Sequence, residues 1–389
     1  MRTARAPVRD RALFRGRRGL ALFAGLLAAA GLGFAQIVEN PANPKAADAG
    51  RVVTPREVLA ISDEGRSDYY FKYPHALTAA PDGSLFVIDE NQVMWFGPDG
   101  AFERNLFKKG QGPGEMGYAD ACLFSDGHVI VQAWSPNKLL WFDAAGRYQR
   151  ELLIRSKTRS IGSAQFVHAG VVYLLAFDFP RVEGTPGNIE VPQDIIAVPE
   201  DTGEIETLSS FPITAFVASS ASGGGGMMPI GLFLSAVFRR KQLVISHTSE
   251  YLLKLYDPGT DRVVREFRRP YSRIKSEPLT EQQKKGGLLI DGKHFGPPEQ
   301  KYQADIRNLL TRGEEIWAVT STRDKAKGVL IDVFDGDGAY RDRFWLKLPE
   351  PALASLQSPG ACALDGEFLW AVEPAKDDTI TIRKYRVIQ

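Results

Sequence analysis

Within the stretch KKGQGPGEMG, residues 108–117, three glycines and a proline crowd into residues 110–114 behind two lysines. Such a run suggests phosphate chemistry, because the backbone N–H groups of a glycine-rich loop can cradle an anion. A phosphate loop also needs a strand before it, a helix N-terminus after it and a Lys-Ser/Thr pair at its end. Here strand-like alternation lies on both sides, and Glu115 would repel a phosphate. The run reads as a chain reversal between two structural units.

Metal and nucleophile chemistry have fewer candidates. Of five histidines, His75, His247 and His294 could supply three imidazoles to zinc, but their spacing carries no zinc signature. Asp89, Asn91, Asp120 and Asn137 offer the hard oxygen donors that calcium takes. DGDGAYRDR (335–343) begins like a calcium loop, lacks the closing glutamate at the twelfth position and reads as a β-turn. There is no GxSxG motif, and Ser246 and His247 are chain neighbours that cannot form a triad by adjacency. Cys122 has no basic neighbour to activate it.

The elements that hold these side chains repeat. HALTAAPDGSLFVIDENQVMWFGPDGAFERNLF (75–107) overlays on ADACLFSDGHVIVQAWSPNKLLWFDAAGRYQRELL (119–153), with Asp82-Gly83 meeting Asp126-Gly127. Each unit alternates with period two through four strands, turning at glycine pairs. Weaker copies begin at SAQFVHAGVVYLLAFD, at LFLSAVFRRKQLVISHTSEYLLKLYDPGTDRVVREF (232–267) and at IRNLLTRGEEIWAVTSTRD (306–324). The last unit, 361–388, has three strands, and RVVTPREVLAI (51–61) is an alternating segment with no partner of its own.

Units of this length and strand count predict an all-β, six-bladed β-propeller of four-stranded antiparallel blades. The segment 51–61 would complete the last blade and close the ring, with Pro55 tolerated on an outermost strand. The stretch GQGPGEMGYADACLFSDGHVIVQAWSPNKLLWFDAAGRYQRE resembles the NHL-type repeat of bacterial six-bladed propeller proteins. The resemblance is close over 75–153 and loose over 154–389. It implies the fold and leaves the activity open, because propellers host many functions.

In such a fold the long insertions 177–193, 212–229, 270–305 and 323–328 all emerge on one face, and LTEQQKK within them suggests a short helix. The opposite face keeps tight turns. Loops on a rigid scaffold build binding sites. Inner-strand starts would present His75, Asp120, Gln165 and Arg307 there. Second-strand ends would add Asp89, Asn91, Asn137, His247, Arg323 and Glu373, with Trp134, Phe179 and Tyr251 as aromatic surface. The expectation is a binding or scaffolding module for a peptide, glycan or protein partner, without a cofactor. The alternative is a metal-dependent lactonase-like hydrolase or lyase with calcium at the channel mouth, since six-bladed lactonases place carboxylates and asparagines in such positions.

Residues 1–35 hold seven arginines and one aspartate, and GLALFAGLLAAAGLGFA (19–35) carries no charge. The pattern is that of an export signal, or of an N-terminal membrane anchor if uncleaved. It predicts a periplasmic or extracellular protein, touching membrane only through that segment. Residues 36–50 read as a Pro/Ala-rich linker, and 51–389 as the propeller. Of the chain's 48 basic and 47 acidic residues, 41 and 46 lie beyond residue 35, so no basic surface for nucleic acid is expected. Cys122 and Cys362 fall on inner strands of blades two and six, too far apart for a disulfide.

Overall fold

Strands of contrasting burial succeed one another along the chain. Leu85–Asp89 and Lys138–Phe142 are buried at every position, whereas Phe102–Asn105 and Tyr148–Leu153 are largely exposed. A strand buried on both faces lies between two neighbouring layers, and one that is mostly exposed lies at an edge. The computed structural model describes residues 37–156, 160–178, 186–219 and 225–387. The expected export segment lies outside them. Among the described residues no helix is long and apolar enough to cross a membrane.

The chain is all-β, built from antiparallel sheets that follow one another in sequence. Sheet one comprises Pro74–Ala79, Leu85–Asp89, Gln92–Phe96 and Phe102–Asn105. Sheet two comprises Tyr118–Ser125, His128–Trp134, Lys138–Phe142 and Tyr148–Leu153. Sheet three comprises Ser160–His168, Val171–Phe177, Asp194–Pro199 and Glu206–Ser210. Sheet four runs through Leu234–Phe238, Gln242–Ser246, Leu253–Asp257 and Arg262–Arg268. Sheet five runs through Ile306–Arg312, Glu315–Asp324, Gly328–Asp335 and Tyr340–Leu346. Sheet six pairs Cys362–Asp365, Phe368–Pro374 and Ile380–Arg386 with Arg56–Ser62. The Asp126-Gly127 turn has φ of 49° and 76°, the left-handed pair that a two-residue hairpin needs.

The core lies between sheets rather than under one of them. Phe86 and Val93 of sheet one meet Cys122 and Leu140 of sheet two, and Leu85 and Phe96 on the other side of sheet one meet Trp370 and Ile382 of sheet six. The first strands of consecutive sheets touch in succession, and that of sheet six touches that of sheet one. Sheets four and five are locked by Arg269. Its Nε lies 2.9 Å from Asp332 Oδ2, and the rings of Tyr251, Tyr271 and Tyr340 surround its guanidinium. Tyr251, expected as aromatic surface, is therefore buried, its hydroxyl donating to Asp332 at 2.6 Å.

Two expectations about the N-terminal region need correction. Residues 36–50 are not a free linker, since Ile37–Glu39 pairs in parallel with Arg262–Arg268 at the edge of sheet four. Asn40 then bridges sheets four and five, donating to the Arg268 and Gly338 carbonyls and accepting from the Tyr340 N–H. Residues 51–61 are not one strand either. Arg51–Val53 adds in parallel to Tyr340–Leu346 of sheet five, while Arg56–Ser62 pairs antiparallel with Ile380–Arg386. Pro55, with no N–H and a fixed φ, sits at the break where the chain passes between sheets. Residues 37–62 thus run along the edges of sheets four, five and six in turn, which satisfies backbone groups that would otherwise be open.

Candidate functional site

The first strands of sheets one, two and five each slip register at one residue near their start. The shifts fall between Pro74 and Ala76, between Ala119 and Ala121, and between Ile306 and Asn308. The extra residues are His75, Asp120 and Arg307. A bulge leaves its residue out of the ladder and re-aims its side chain. Sheet three shifts at two places, around Ser163 and Gln165.

His75 stacks on Tyr118, with ring centroids 5.5 Å apart and planes 13° apart. Tyr73 flanks the imidazole at 6.3 Å and Trp134 continues the row beyond Tyr118 at 5.7 Å. The His75 Nδ1 lies 3.3 Å from the Tyr73 carbonyl, and its Nε2 lies 3.0 Å from the Tyr118 hydroxyl. Tyr73, at the end of the row, is 71% exposed.

Polar groups continue the line across sheets two to four. Ser163 Oγ donates to Asp120 Oδ2, Gln165 Nε2 to the Ser163 carbonyl at 3.0 Å, and Ser235 Oγ to Gln165 Oε1. Burial pushes the Asp120 carboxyl above its ordinary range, against the Ser163 hydrogen bond and the nearby His75. These residues line a cavity of about 1340 Å³ along the first strands of sheets one to four. Arg307 is not among the residues that line it. It is half-buried and makes no hydrogen bond or ion pair with any described residue, and burial and Arg323 disfavour its charge. Arg323 itself reaches Glu350 at 2.8 Å.

The other predicted positions hold structural posts. Asp89 is fully buried and accepts from the Lys72 and Tyr73 N–H groups at 2.6 and 2.8 Å, so its oxygens tether the loop before sheet one. Glu373 is buried and holds Tyr385 and Arg383. Both were expected on the surface because a strand end reads as exposed in sequence, whereas here adjoining chain covers it. Asn91 is exposed at a two-residue hairpin, and Asn137 lends its carbonyl to Ile154. His247 Nδ1 lies 2.8 Å from the Pro212 carbonyl against Phe211, and burial lowers its basicity. His294 lies on the exposed hairpin described below, and Phe179 falls outside the described residues. Among the described residues no three His, Cys, Asp or Glu side chains gather as a metal would require.

The glycine run is occupied by the chain itself. Glu115 Oε2 accepts from the Gly112 N–H at 3.1 Å, and Glu151 Oε2 from the Gly114 N–H at 2.9 Å. Lys138, wholly buried, donates to the Gly112 carbonyl and to Glu151, both at 2.9 Å. Gly114 has φ of +72°, and a Cβ there would press on the Tyr148 ring. The donors that a phosphate would use are taken by carboxylates.

The insertions build a second layer. Gly187–Val191 pairs with Ile213–Ser219, which pairs with Gly225–Pro229, and Leu288–Ile290 with Lys293–Phe295 forms a hairpin against them. Phe216 and Phe295 meet at 6.0 Å. The expected helix is Glu281–Lys284, capped by Thr280. A second, Glu350–Leu356, was missed and packs on Phe368–Pro374. Tyr73 and Tyr118 were not among the expected site residues, although Tyr-x-His (73–75) and Tyr-x-Asp (118–120) occupy matching places in the two units.

No protein-family model and no curated protein sequence matches the chain. Among solved structures it is similar to a protein of Bacteroides fragilis named for an inferred export. The TM-score is 0.52 at 10% identity, over 91% of this chain and 100% of that one. It is also similar to a gluconolactonase of Xanthomonas campestris (TM-score 0.44, 12% identity, 87% and 98% covered). A third is YCF48 bound to a D1 peptide (TM-score 0.35, 11% identity, 88% and 99% covered). These are β-propeller proteins, and the first likeness, together with the succession of four-stranded sheets, gives this chain a β-propeller fold.

Proposed function

We propose that this protein is an exported six-bladed β-propeller with NHL-type repeats that binds a peptide, glycan or protein partner on its insertion-bearing face. In this reading each of the six sheets is a blade, and Arg56–Ser62 closes the ring as the outer strand of the last one. The observation that carries the binding role is the set of bulges at His75, Asp120 and Arg307. Each turns a polar side chain out of a ladder that would pair more regularly without it, at the strand ends where the insertions join. The residues suit recognition: an aromatic row ending in exposed Tyr73, a hydrogen-bonded polar line, and a guanidinium without a partner among the described residues. Burial pushes the Cys122 thiol up to about 12, which removes it as a nucleophile. Export rests on the arginine-rich, then apolar, first 35 residues.

The test is a peptide and glycan array read with the full chain. His75→Ala, Asp120→Asn and Arg307→Gln should each weaken the captured ligand by about tenfold or more, the worth of one lost charge-assisted contact. Arg312→Gln, beside the tight Gly313-Glu314 turn and outside the lining of the cavity along the first strands, should leave it unchanged. The reverse pattern would place the binding face wrongly. Hydrolysis of a lactone panel that needs added calcium would replace the binding reading with the enzymatic one.

A further inference from the structure

Lys384 occupies a position that its own repeats fill with apolar side chains. In sheets one, two, four and five the register between third and outer strands shifts just after Trp95, Trp141, Leu255 and Val333. In sheet six the corresponding shift lies between the Lys384–Leu59 and Tyr385–Glu57 pairs, so Lys384 is the equivalent residue. Lys384 is 8% exposed, its ammonium lies over the Phe368 and Trp370 rings at 4.5 and 4.8 Å, and it makes no hydrogen bond or ion pair with any described residue. Burial disfavours its charge, and the nearby Asp365 only partly offsets this. The two ring faces return part of the interaction that a buried ammonium loses on leaving water, but they supply no hydrogen-bond acceptor lone pair for its three N–H groups.

Lys384 borders a pocket of about 350 Å³ at the seam where Arg56–Ser62 joins Ile380–Arg386. Arg56 and Arg386 line the same pocket, with Val58, Leu59, Pro98 and Phe368 as apolar walls and Asp99 as the one acid. Asp99 is engaged elsewhere, accepting from the Ala101 N–H at 3.0 Å. Arg56 is exposed and has no partner among the described residues, and Arg386 reaches Glu367 only at 3.5 Å. Three cations thus face one small recess with one acid between them.

We infer that this recess binds a compact, doubly charged oxyanion of the phosphate-monoester class, held by Lys384, Arg56 and Arg386. Three cationic side chains attract a dianion more strongly than a singly charged group, and its oxygens can accept from two guanidinium forks and one ammonium. The apolar walls would take the organic part of the ester. The site lies at the outer seam of sheet six, away from the bulged residues, and stands or falls independently of the binding role proposed above.

Calorimetric titration of the full chain with inorganic phosphate tests the assignment, with acetate as the singly charged comparison. Wild-type protein should bind one phosphate saturably, and more tightly than acetate. Arg56→Gln, an exposed change that breaks no internal contact, should weaken phosphate at least about tenfold. Lys384→Leu should abolish phosphate binding while raising the melting temperature, because leucine restores the side-chain type of the other sheets. Failure of the wild type to bind phosphate, equal binding by Arg56→Gln, or a destabilised Lys384→Leu that still binds would each overturn the inference.

Discussion

Lys138 Nζ lies 2.9 Å from Glu151 Oε2, and no part of the lysine side chain reaches solvent. The pair joins the third strand of sheet two to its outer strand, and through the Gly112 carbonyl and Gly114 N–H it also holds the glycine run that precedes the sheet. Lys138→Ala would strand Glu151 beside an empty space and release the run. The expected cost is about 3–5 kcal/mol in urea unfolding, the usual result of removing one partner of a buried pair. Lys138→Met, which keeps the apolar stem, should cost less. Wild-type stability in the alanine variant would show that the run holds itself.

Truncation separates the roles of the N-terminal edge strands. A chain beginning at residue 56 loses the parallel strands on sheets four and five and should melt cooperatively at a lower temperature. A chain beginning at residue 63 also loses the outer strand of sheet six and opens its ladder. That variant should lose cooperative melting. Equal melting temperatures for it and the wild type, followed by circular dichroism, would remove the closing role given to Arg56–Ser62.

Asp120 should make the protein less stable as pH rises. Burial raises its carboxyl above the ordinary range in the folded state, so the folded state holds the proton more tightly than the unfolded chain. Its stabilising contribution is complete below the unfolded value and is lost as pH rises through the folded one. Asp120→Asn, whose amide oxygen still accepts from Ser163, should melt above the wild type at neutral pH. The two curves should converge below about pH 4. A difference that stays constant across this range would contradict a buried, proton-retaining carboxyl.

Cys122 and Cys362 are both free and buried, and burial raises both thiols to about 12. Thiol reagents at about pH 8 should leave the folded protein untouched, since almost no thiolate exists there. After unfolding without reductant, both should react. A denatured chain with no titratable thiol would mean a disulfide and a different placement of these two strands.

Much of the fold is legible in the sequence because its cause is local. Period-two alternation, the Asp82-Gly83 and Asp126-Gly127 turns, and the overlay of 75–107 on 119–153 specify strands and their antiparallel order through side-chain parity and positive φ alone. The glycine run was also readable, because Glu115 lies within reach of Gly112 along the chain. What the sequence left undecided depends on partners distant in the chain. Whether Asp89 and Glu373 are ligands or tethers rests on the backbone of residues 72–73 and on Tyr385 and Arg383. The break at Pro55 became two strands only because the edges of sheets five and six lie where the chain passes. The bulges at His75, Asp120 and Arg307 are register slips between strands, which one strand's pattern cannot record. Lys384 looks like an ordinary alternating residue until the sheet registers align it with Trp95 and Trp141. Pairing across strands and packing between sheets are properties of the assembled chain, and those decided the site.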